Sequence, residues 1–311
     1  MNWNLEVDMV CTGTGAAALA AAISVVDLGG EVFVAGAPGG DALVEAGAPH
    51  RVHNDRTQPW LVADVSDSET TAYFAALSSD LGPFRRSAWD VDVPICVVHE
   101  PPVESGRSVA PFVGSRLREW TARCLASPYG YLKTRVSDLQ STTLHTIDGD
   151  MIEVAEIGSI SPDPTDVGGS VYDWLTAEAD DRRIDIEPDC SLQRIVFEEG
   201  DAVGAVFTTP DGELAIRARH GVTVATGGPR INTALPHQLS AGDAALRVCL
   251  VTRFASRFGR VELLTSGPLA SHAPTTCGPA NRDLHVNLRE THDRSPTWRC
   301  GRMSGYPPVG Q

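Results

Sequence analysis

The sequence predicts an α/β protein with a Rossmann-like, dinucleotide-binding βαβ sheet, a β-meander and an irregular C-terminal tail. Three observations predict this fold. A buried strand, a glycine-rich turn and an alanine-rich helix follow one another within residues 5–28. Three β-rich runs, separated by turns that contain glycine, lie between residues 192 and 218. After Thr265 the chain is rich in Pro, Gly and Thr and shows little periodicity.

The composition is that of a globular protein with an acidic surface. The 311 residues are 42% hydrophobic and carry a formal net charge of −15, and this length is ample for one large domain with a sizeable core. Because a negative surface repels phosphate backbones, we expect no nucleic-acid partner. No apolar run approaches the roughly 20 residues that span a bilayer, so we expect no membrane association.

The seven cysteines are scattered, and no two of them are spaced as CxxC. This pattern is typical of reduced thiols, whereas a disulfide framework has an even set of cysteines and a structural zinc site has paired spacing. We therefore expect a cytoplasmic location and no metal site.

The first elements are predicted to form a βαβ unit. Residues 5–11 are mostly apolar, as in a strand buried on both faces. A helix then extends to Leu28, Gly29 and Gly30 end it, and a second strand follows at residues 31–35. Because the two strands of such a unit are parallel, the turn after the first strand lies at the carboxyl edge of the sheet.

The remaining elements are predicted from apolar periodicity and turn residues. Ser66 and Glu69 form a capping box for a helix that extends to Leu81, and Asp148-Gly149 turns a hairpin over residues 143–157. Further helices are expected at residues 112–126, 169–181 and 241–258. Further strands are expected at residues 93–99, 184–186, 192–198, 202–208, 214–218 and 222–225.

The turn between the first strand and the first helix carries a GxGxxA dinucleotide fingerprint at residues 13–18. Gly13 permits the tight turn, Gly15 lets the backbone approach a pyrophosphate, and the small Ala18 lets the helix lie close to the strands. The N–H groups at the start of the helix are directed at the phosphates. The alternative is a glycine-rich turn of an α/β sheet that holds no ligand.

Several parts of the chain resemble FAD flavoproteins of the fumarate reductase and 3-ketosteroid Δ1-dehydrogenase group, among them residues 66–69 with residues 73–77 and the Gly242-Asp243 pair. Residues 8–34 resemble the N-terminus of that group. Residues 168–232 are similar to its helix, strand and meander, which lead into an Ala-Thr-Gly-Gly tetrad that ends here at Gly228, with Asn232 four residues later. The resemblance implies an FAD-binding fold for most of the chain before the tail.

The resemblance also implies a role for each matching residue. Five residues of the fingerprint would hold the pyrophosphate: Gly13, Thr14, Gly15, Ala16 and Ala17. The other implied FAD contacts are Gly36, Gly39, Gly40, Leu192, Thr226, Gly227, Gly228 and Asp243. Leu192 lies where the family's backbone meets the adenine, and Asp243 lies toward the ribityl or flavin end.

The sequence departs from that family at three places. The second strand should end in an acidic residue that accepts hydrogen bonds from the adenosine ribose, but this chain has Gly36 there. The loss of such a bond costs about 1.5–3 kcal/mol and weakens FAD binding roughly tenfold to a hundredfold. Gly39-Gly40 is followed by the anionic Asp41 rather than by hydroxyl side chains. The chain after Gly228 is expected to be too short for the family's substrate domain and for the segment that closes over the flavin.

The chain is expected to divide into two regions. Residues 1–264 form the FAD-binding domain, with an inserted segment at about residues 84–160. Residues 265–311 form the irregular tail, for which three roles stay open: an active-site lid, a partner-docking arm, or a disordered segment.

The resemblance implies an FAD-dependent oxidoreductase, a dehydrogenase that acts on a CH–CH bond next to a carbonyl in a steroid-like or other apolar substrate. In that chemistry a His, Tyr or Arg handles the proton and polarises the carbonyl, so His285, Arg299 and Tyr306 of the tail are the candidate catalytic residues. A second subunit or a homo-oligomer is expected, and in a hetero-oligomer the chain would be the FAD-holding part. The alternative function is that of a flavin-free structural or interaction subunit.

Overall fold

The fold is α/β, with two β-sheets and four α-helices in the part of the chain that the structure describes. The structure is a computed structural model and describes residues 2–36, 65, 67–81, 93–99, 114–135, 141–227 and 245–266. All of them fall within the first of the chain's two units, Met1–Gly278. The predicted tail lies outside the described residues from residue 267 onward.

The described helices are α1 (Ala16–Val26), α2 (Ser68–Ser78), α3 (Gly114–Ala126) and α4 (Val167–Asp181), with a 3₁₀ turn at Ser79–Leu81. The described strands are β1 (Leu5–Val7), β2 (Met9–Thr12), β3 (Val32–Ala35), β4 (Ile95–Val97), β5 (Gly130–Lys133), β6 (Thr142–His145), β7 (Met151–Ile160), β8 (Ile186–Glu187), β9 (Ser191–Glu198), β10 (Asp201–Thr209), β11 (Gly212–Ala218), β12 (Val222–Ala225), β13 (Leu246–Thr252) and β14 (Phe258–Thr265). Among the described helices, none has both the length and the apolar composition needed to cross a bilayer.

The larger sheet has the strand order β6-β7-β13-β14-β5-β12-β2-β3-β8, with β4 also paired to β14. Strands β12, β2, β3 and β8 are parallel to one another, and the helix α1 connects β2 to β3. The predicted βαβ unit is therefore confirmed. Because these four strands run in the same direction, their carboxyl ends meet at one edge of the sheet.

Helix α1 is buried along almost its whole length. Every residue from Ala16 to Val25 is buried, and the helix packs between the larger sheet and α4. Its alanines let it approach both neighbours closely, because a methyl group takes little space. After the helix, Gly29 has a φ of +80°, and the N–H of Gly30 donates to the carbonyl of Val25 at 3.0 Å. This left-handed glycine ends the helix as predicted.

The prediction of one strand at residues 5–11 is wrong. β1 pairs with β11 in the smaller sheet, whereas β2 lies in the larger sheet. The chain bends at Asp8, whose carboxylate accepts hydrogen bonds from the N–H of Glu31 at 2.8 Å and from the guanidinium of Arg219 at 3.1 Å. Asp8 thus marks where the chain passes from one sheet to the other.

Asp8→Asn is expected to lower the free energy of unfolding at neutral pH by about 1–2 kcal/mol, because hydrogen bonds to a charged acceptor are weakened. The hydrogen bond from Glu31, and then that from Arg219, holds the pKa of the Asp8 carboxyl below its usual range. The stabilisation by the carboxylate is therefore full above its unfolded pKa of about 3.9, and it is lost as the pH falls through the lower folded value.

Urea unfolding across the range from about pH 2 to about pH 7 measures this effect. Wild-type protein should lose stability on acidification more steeply than D8N. Asp185→Asn, at an exposed carboxylate on the α4–β8 connection, is the control and should follow the wild-type curve. Parallel acid limbs for D8N and wild type would contradict the role of Asp8.

The smaller sheet has the order β1-β11-β10-β9 and contains the predicted meander. Its three antiparallel strands match the predicted runs, so the meander is confirmed. Helix α2 is attached to the edge strand β9, because the Thr70 hydroxyl accepts the N–H of Ile195 at 2.9 Å. The predicted cap is wrong by one residue: Asp67 is the N-cap and accepts the N–H of Thr70 at 2.8 Å. Ser66 lies outside the described residues.

The helix predicted at residues 241–258 is wrong. Residues 246–252 form β13, which pairs with β14 in an antiparallel hairpin, while residues 241–244 lie outside the described residues. β13 lies between β7 and β14, so its apolar residues form a nearly continuous buried run. A short continuous apolar run does not distinguish a buried strand from a buried helix, because neither periodicity is visible in it.

The other predicted elements agree with the structure to within a few residues. The hairpin at residues 143–157 is formed by β6 and β7, and Gly149 in its turn has a φ of +80°. The helix predicted from residue 169 is α4, which begins two residues earlier because Asp166 caps it. The short strand predicted at residues 184–186 is shifted to β8. The sequence did not predict β5 or β14.

Candidate functional site

The predicted site lies at the carboxyl edge of the parallel strands. Strands β2, β3 and β12 end side by side, since Thr12 of β2 is in register with Ala35 of β3 and with Val224 of β12. On the other side of β3, Glu187 of β8 is also in register with Ala35. The turn after β2 and the residues after β3 and β12 therefore meet in one place, where open α/β sheets bind their ligands.

Gly13 begins the turn after β2 with a φ of +97°, a conformation that favours glycine. Its N–H donates to the carbonyl of Ala35 at 2.8 Å, and this bond ties the turn to the end of β3. A Cβ atom at Gly13 would lie 3.4 Å from the Cβ of Ala225 on β12. The left-handed backbone conformation accounts for the glycine at position 13. Strand β12 lies close to the place that a side chain would take there.

Gly15 is the N-cap of α1, and its φ of −70° and ψ of 165° are accessible to any residue. The backbone conformation therefore does not require glycine here. Ser, Thr, Asp and Asn are the preferred N-caps because their side chains bond the first N–H groups of a helix, but α1 has no such side-chain bond. No capping side chain competes with an anion for the N–H groups that begin α1 at Ala16 and Ala17.

Gly36 follows β3 and is held by the backbone on one side. Its N–H donates to the carbonyl of Glu187 at 2.8 Å, and its carbonyl accepts the N–H of Cys190 at 2.8 Å. A Cβ atom at Gly36 would lie 3.2 Å from the Glu187 oxygen and 3.3 Å from Cγ2 of Thr14. The space above the end of β3 is therefore narrow, and an acidic side chain at this position would have to displace its neighbours.

Thr226 and Gly227, which follow β12, pack against the turn between α3 and β5. The Thr226 hydroxyl donates to the carbonyl of Ser127 at 2.7 Å, and its N–H donates to the carbonyl of Gly130 at 2.9 Å. A Cβ atom at Gly227 would overlap the carbonyl oxygen of Pro128. These contacts give the two residues a packing role at the same edge where the sequence predicted contact with the nucleotide.

Leu192 lies near the start of β9, close to this edge. The bond from Cys190 to Gly36 places the beginning of the meander beside the end of β3. The Leu192 side chain is 3% exposed and belongs to the core, and its backbone is in register with Phe207 of β10. Only the backbone of Leu192 is suited to the predicted adenine contact, and that contact stays a prediction.

Seven predicted site residues lie outside the described residues, so their roles stay predictions. They are Gly39, Gly40, Gly228 and Asp243 for FAD, and His285, Arg299 and Tyr306 for catalysis. The structure therefore brings together the predicted pyrophosphate site and locates no predicted catalytic residue. Within the described ranges, no three His, Cys, Asp or Glu side chains are grouped as metal ligands would be.

Two thiols near the site are held in the neutral form. Burial raises the pKa of the Cys11 thiol, which lies on β2, to about 12. The pKa of Cys190 is also raised, chiefly by burial and further by the carboxylates of Glu187 and Asp189. Because the thiolate is the reactive form of cysteine, we interpret both residues as packing residues rather than nucleophiles.

Two features of the site were absent from the sequence prediction. The first is the support that residues 127–130 give to Thr226 and Gly227. The Ser127-Pro128 dipeptide indicates a turn, but nothing local indicates its distant partner. The second is Glu187, which ends β8 next to β3. The predicted strand at residues 184–186 stopped one residue short of it.

Comparison with protein-family models and with curated proteins finds no match. Similar solved structures include a 3-ketosteroid-Δ4-(5α)-dehydrogenase from Rhodococcus jostii RHA1, which is 18% identical with a TM-score of 0.29 over 71% of this chain and 46% of that chain. A flavocytochrome c3 fumarate reductase is 15% identical, with a TM-score of 0.28 over 70% of this chain and 33% of that chain.

A 3-ketosteroid Δ1-dehydrogenase from Sterolibacterium denitrificans is likewise 15% identical, with a TM-score of 0.26 over 70% of this chain and 47% of that chain. The chain thus spans less than half the length of each of these three proteins. Identities and TM-scores of this size show no shared activity.

Proposed function

We propose that this chain binds FAD at the carboxyl edge of β2, β3 and β12 and acts as an FAD-dependent oxidoreductase or as its FAD-holding subunit. One observation carries the proposal: a left-handed Gly13 is followed by Gly15, whose conformation does not require glycine and which leaves α1 without a side-chain cap. A turn of this kind, at the end of a parallel strand, leaves backbone N–H groups for a pyrophosphate.

The described residues fit the pyrophosphate of such a dinucleotide. Gly13, Thr14 and Gly15 form the turn, and the first N–H groups of α1 follow at Ala16 and Ala17. The dipole of a helix favours negative charge at the helix N-terminus. This attraction opposes the repulsion between an anionic ligand and a chain whose net charge is −15. The turn is fixed by the bond from Gly13 to β3, so its donors are positioned before the ligand arrives.

The position of the meander beside the end of β3 supports the placement of the adenosine end. Leu192 would contact the adenine through its backbone, and Thr226, Gly227 and Gly228 would border the nucleotide beyond β12. Gly39, Gly40 and Asp243 would contact the phosphate, ribityl or flavin parts. When bound, FAD would supply the two-electron acceptor for a hydride from substrate.

The reaction class, the substrate and the partners belong to the same proposal. The resemblance to the fumarate reductase and 3-ketosteroid dehydrogenase group supports oxidation or reduction of a CH–CH bond next to a carbonyl in an apolar, steroid-like substrate. His285, Arg299 and Tyr306 are proposed to move the proton and polarise that carbonyl. A second subunit or a second copy of the chain would complete the substrate site, in a cytoplasmic enzyme.

Flavin content of the purified protein tests the proposal. The chain is purified alone and after co-expression with its genomic neighbours, and absorbance near about 450 nm, typical of oxidised flavin, is recorded before and after addition of FAD. We expect a yellow protein in at least one preparation. A yellow protein only after co-expression supports the hetero-oligomer, and a protein that stays colourless in both preparations and after FAD addition contradicts FAD binding.

Gly36 favours a second candidate function, that of a flavin-free structural or interaction subunit. The end of β3 lacks the carboxylate that usually accepts hydrogen bonds from the ribose hydroxyls, and a Cβ atom at Gly36 would lie 3.2–3.4 Å from its three nearest neighbours. The uncapped start of α1 argues against this alternative, because Ser, Thr, Asp or Asn at position 15 would stabilise a ligand-free helix better than glycine does.

A further inference from the structure

The end of β3 lacks a carboxylate, but the neighbouring parallel strand supplies one. Glu187 is the last residue of β8 and is in register with Ala35, the last residue of β3. Adjacent strands lie about 4.8 Å apart, so the Glu187 backbone lies one strand away from Gly36. The Glu187 side chain, with three rotatable bonds, is long enough to cover that distance.

Two backbone hydrogen bonds fix this arrangement. Gly36 donates to the carbonyl of Glu187, and Cys190 donates to the carbonyl of Gly36, both at 2.8 Å. The chain between these contacts makes a tight turn in which Asp189 has a φ of +54°. These bonds join residues 187–190 to the end of β3. Backbone hydrogen bonds therefore hold the Glu187 Cα beside Gly36.

The Glu187 side chain is exposed, and in the described part of the chain it forms no ion pair. Glu31, the acidic residue at the other end of β3, lies 3.9 Å from Arg219 at the amino edge and cannot serve the carboxyl edge. Asp8, also at the amino edge, already accepts hydrogen bonds from the backbone N–H of Glu31 and from the guanidinium of Arg219. Glu187 is thus a carboxylate beside the position where the charge is missing, and no side-chain hydrogen bond to another described residue occupies its oxygens.

We infer that Glu187 accepts hydrogen bonds from the ribose hydroxyls of the adenosine part of the bound dinucleotide, in place of the acidic residue missing at position 36. The inference rests on the proposed function, since it names a contact of the same site. It accounts for the glycine at the end of β3: a Cβ atom at Gly36 would lie 3.2 Å from the carbonyl oxygen of Glu187 and 3.3 Å from Cγ2 of Thr14, and the carboxylate would come from the next strand.

Titration calorimetry with ADP and 2′-deoxy-ADP tests this inference on the full chain without activity as a readout. Wild-type protein should bind ADP about tenfold or more tightly than 2′-deoxy-ADP, as expected for hydrogen bonds to a charged acceptor. Glu187→Gln should weaken ADP binding by about tenfold and bring the two affinities within about threefold of each other. The unfolding midpoint should not change, because Glu187 is exposed.

Asp189→Asn is the matched control, since it removes a second exposed carboxylate of the same turn and Asn tolerates its left-handed conformation. D189N should keep the wild-type preference for ADP. If wild type binds ADP and E187Q keeps the full preference for the 2′-hydroxyl, or if D189N loses it equally, Glu187 is not the acceptor although the proposed function stands. If wild type binds neither nucleotide, the proposed function and this inference are both overturned.

Discussion

Gly15→Val is expected to weaken FAD binding at least about 100-fold, the largest effect of any single substitution at this site. A valine side chain at the N-cap of α1 would occupy the place of the pyrophosphate, and two or more charge-assisted hydrogen bonds from backbone N–H groups would be lost at about 1.5–3 kcal/mol each. Flavin content after purification and the Kd for added FAD measure the effect.

The φ of −70° and ψ of 165° at Gly15 suit a β-branched residue, so this substitution adds no backbone strain at the buried N-cap position. Circular dichroism and the unfolding midpoint check this. Gly15→Ser is the companion variant: its hydroxyl caps α1 and should leave the protein at least as stable as wild type, yet it competes with phosphate for the same N–H groups. Undiminished flavin in both variants would show that the turn does not hold the pyrophosphate.

Gly227→Ala is expected to lower the free energy of unfolding by about 3 kcal/mol. The new Cβ would overlap the carbonyl oxygen of Pro128, and backbone atoms on both sides must shift because neither is the end of a flexible side chain. Urea unfolding of flavin-free protein measures this cost, since bound ligand would add its own stabilisation.

Gly149→Ala provides the comparison for this substitution. Gly149 has a φ of +80° in the β6–β7 turn, and apart from its two chain neighbours no atom of the described residues lies within 4 Å of the place that an added methyl group would take. Alanine there meets only the strain of the left-handed conformation, about 1–2 kcal/mol. A cost for Gly227→Ala no greater than that for Gly149→Ala would mean that the contact with Pro128 relaxes easily. Flavin loss without loss of stability would instead assign Gly227 to the nucleotide.

The parts of the fold that local sequence determines were predicted correctly. The turn at Gly13, the alanine-rich α1 and its glycine end lie within residues 9–30, and each follows from the residue types at consecutive positions. The meander and the β6–β7 hairpin were found for the same reason, because alternating apolar residues and glycine turns indicate antiparallel strands directly.

The errors concern contacts between residues far apart in the chain. β13 has the continuous apolar sequence of a helix core or of a central strand, and only its neighbours β7 and β14 decide between them. Residues 5–11 have one composition but are divided between two sheets at Asp8, because Arg219 and Glu31 engage its carboxylate. The residues next to β13 and next to Asp8 in the sequence give no sign of these distant partners.

The candidate site shows the same division. The glycines of the turn are visible in the sequence, but only the structure shows why each position is a glycine. Gly13 has a left-handed backbone conformation, and Gly15 leaves α1 without a side-chain cap. The lack of an acid at Gly36 was also visible. The sequence did not show that Thr14 and Glu187 lie next to Gly36. Glu187 is about 150 residues away in the chain and reaches this edge only through the pairing of β3 with β8.

The position of β5 limits how the chain can be divided into shorter fragments that still fold. It comes from the segment expected to be an insertion, yet it is hydrogen-bonded between β12 and β14 in the middle of the larger sheet. Excising that segment would leave two rows of backbone amide and carbonyl groups facing each other across a missing strand. A shortened version meant to isolate the nucleotide-binding half must therefore retain residues 114–135, and any scheme for splitting the chain should cut elsewhere.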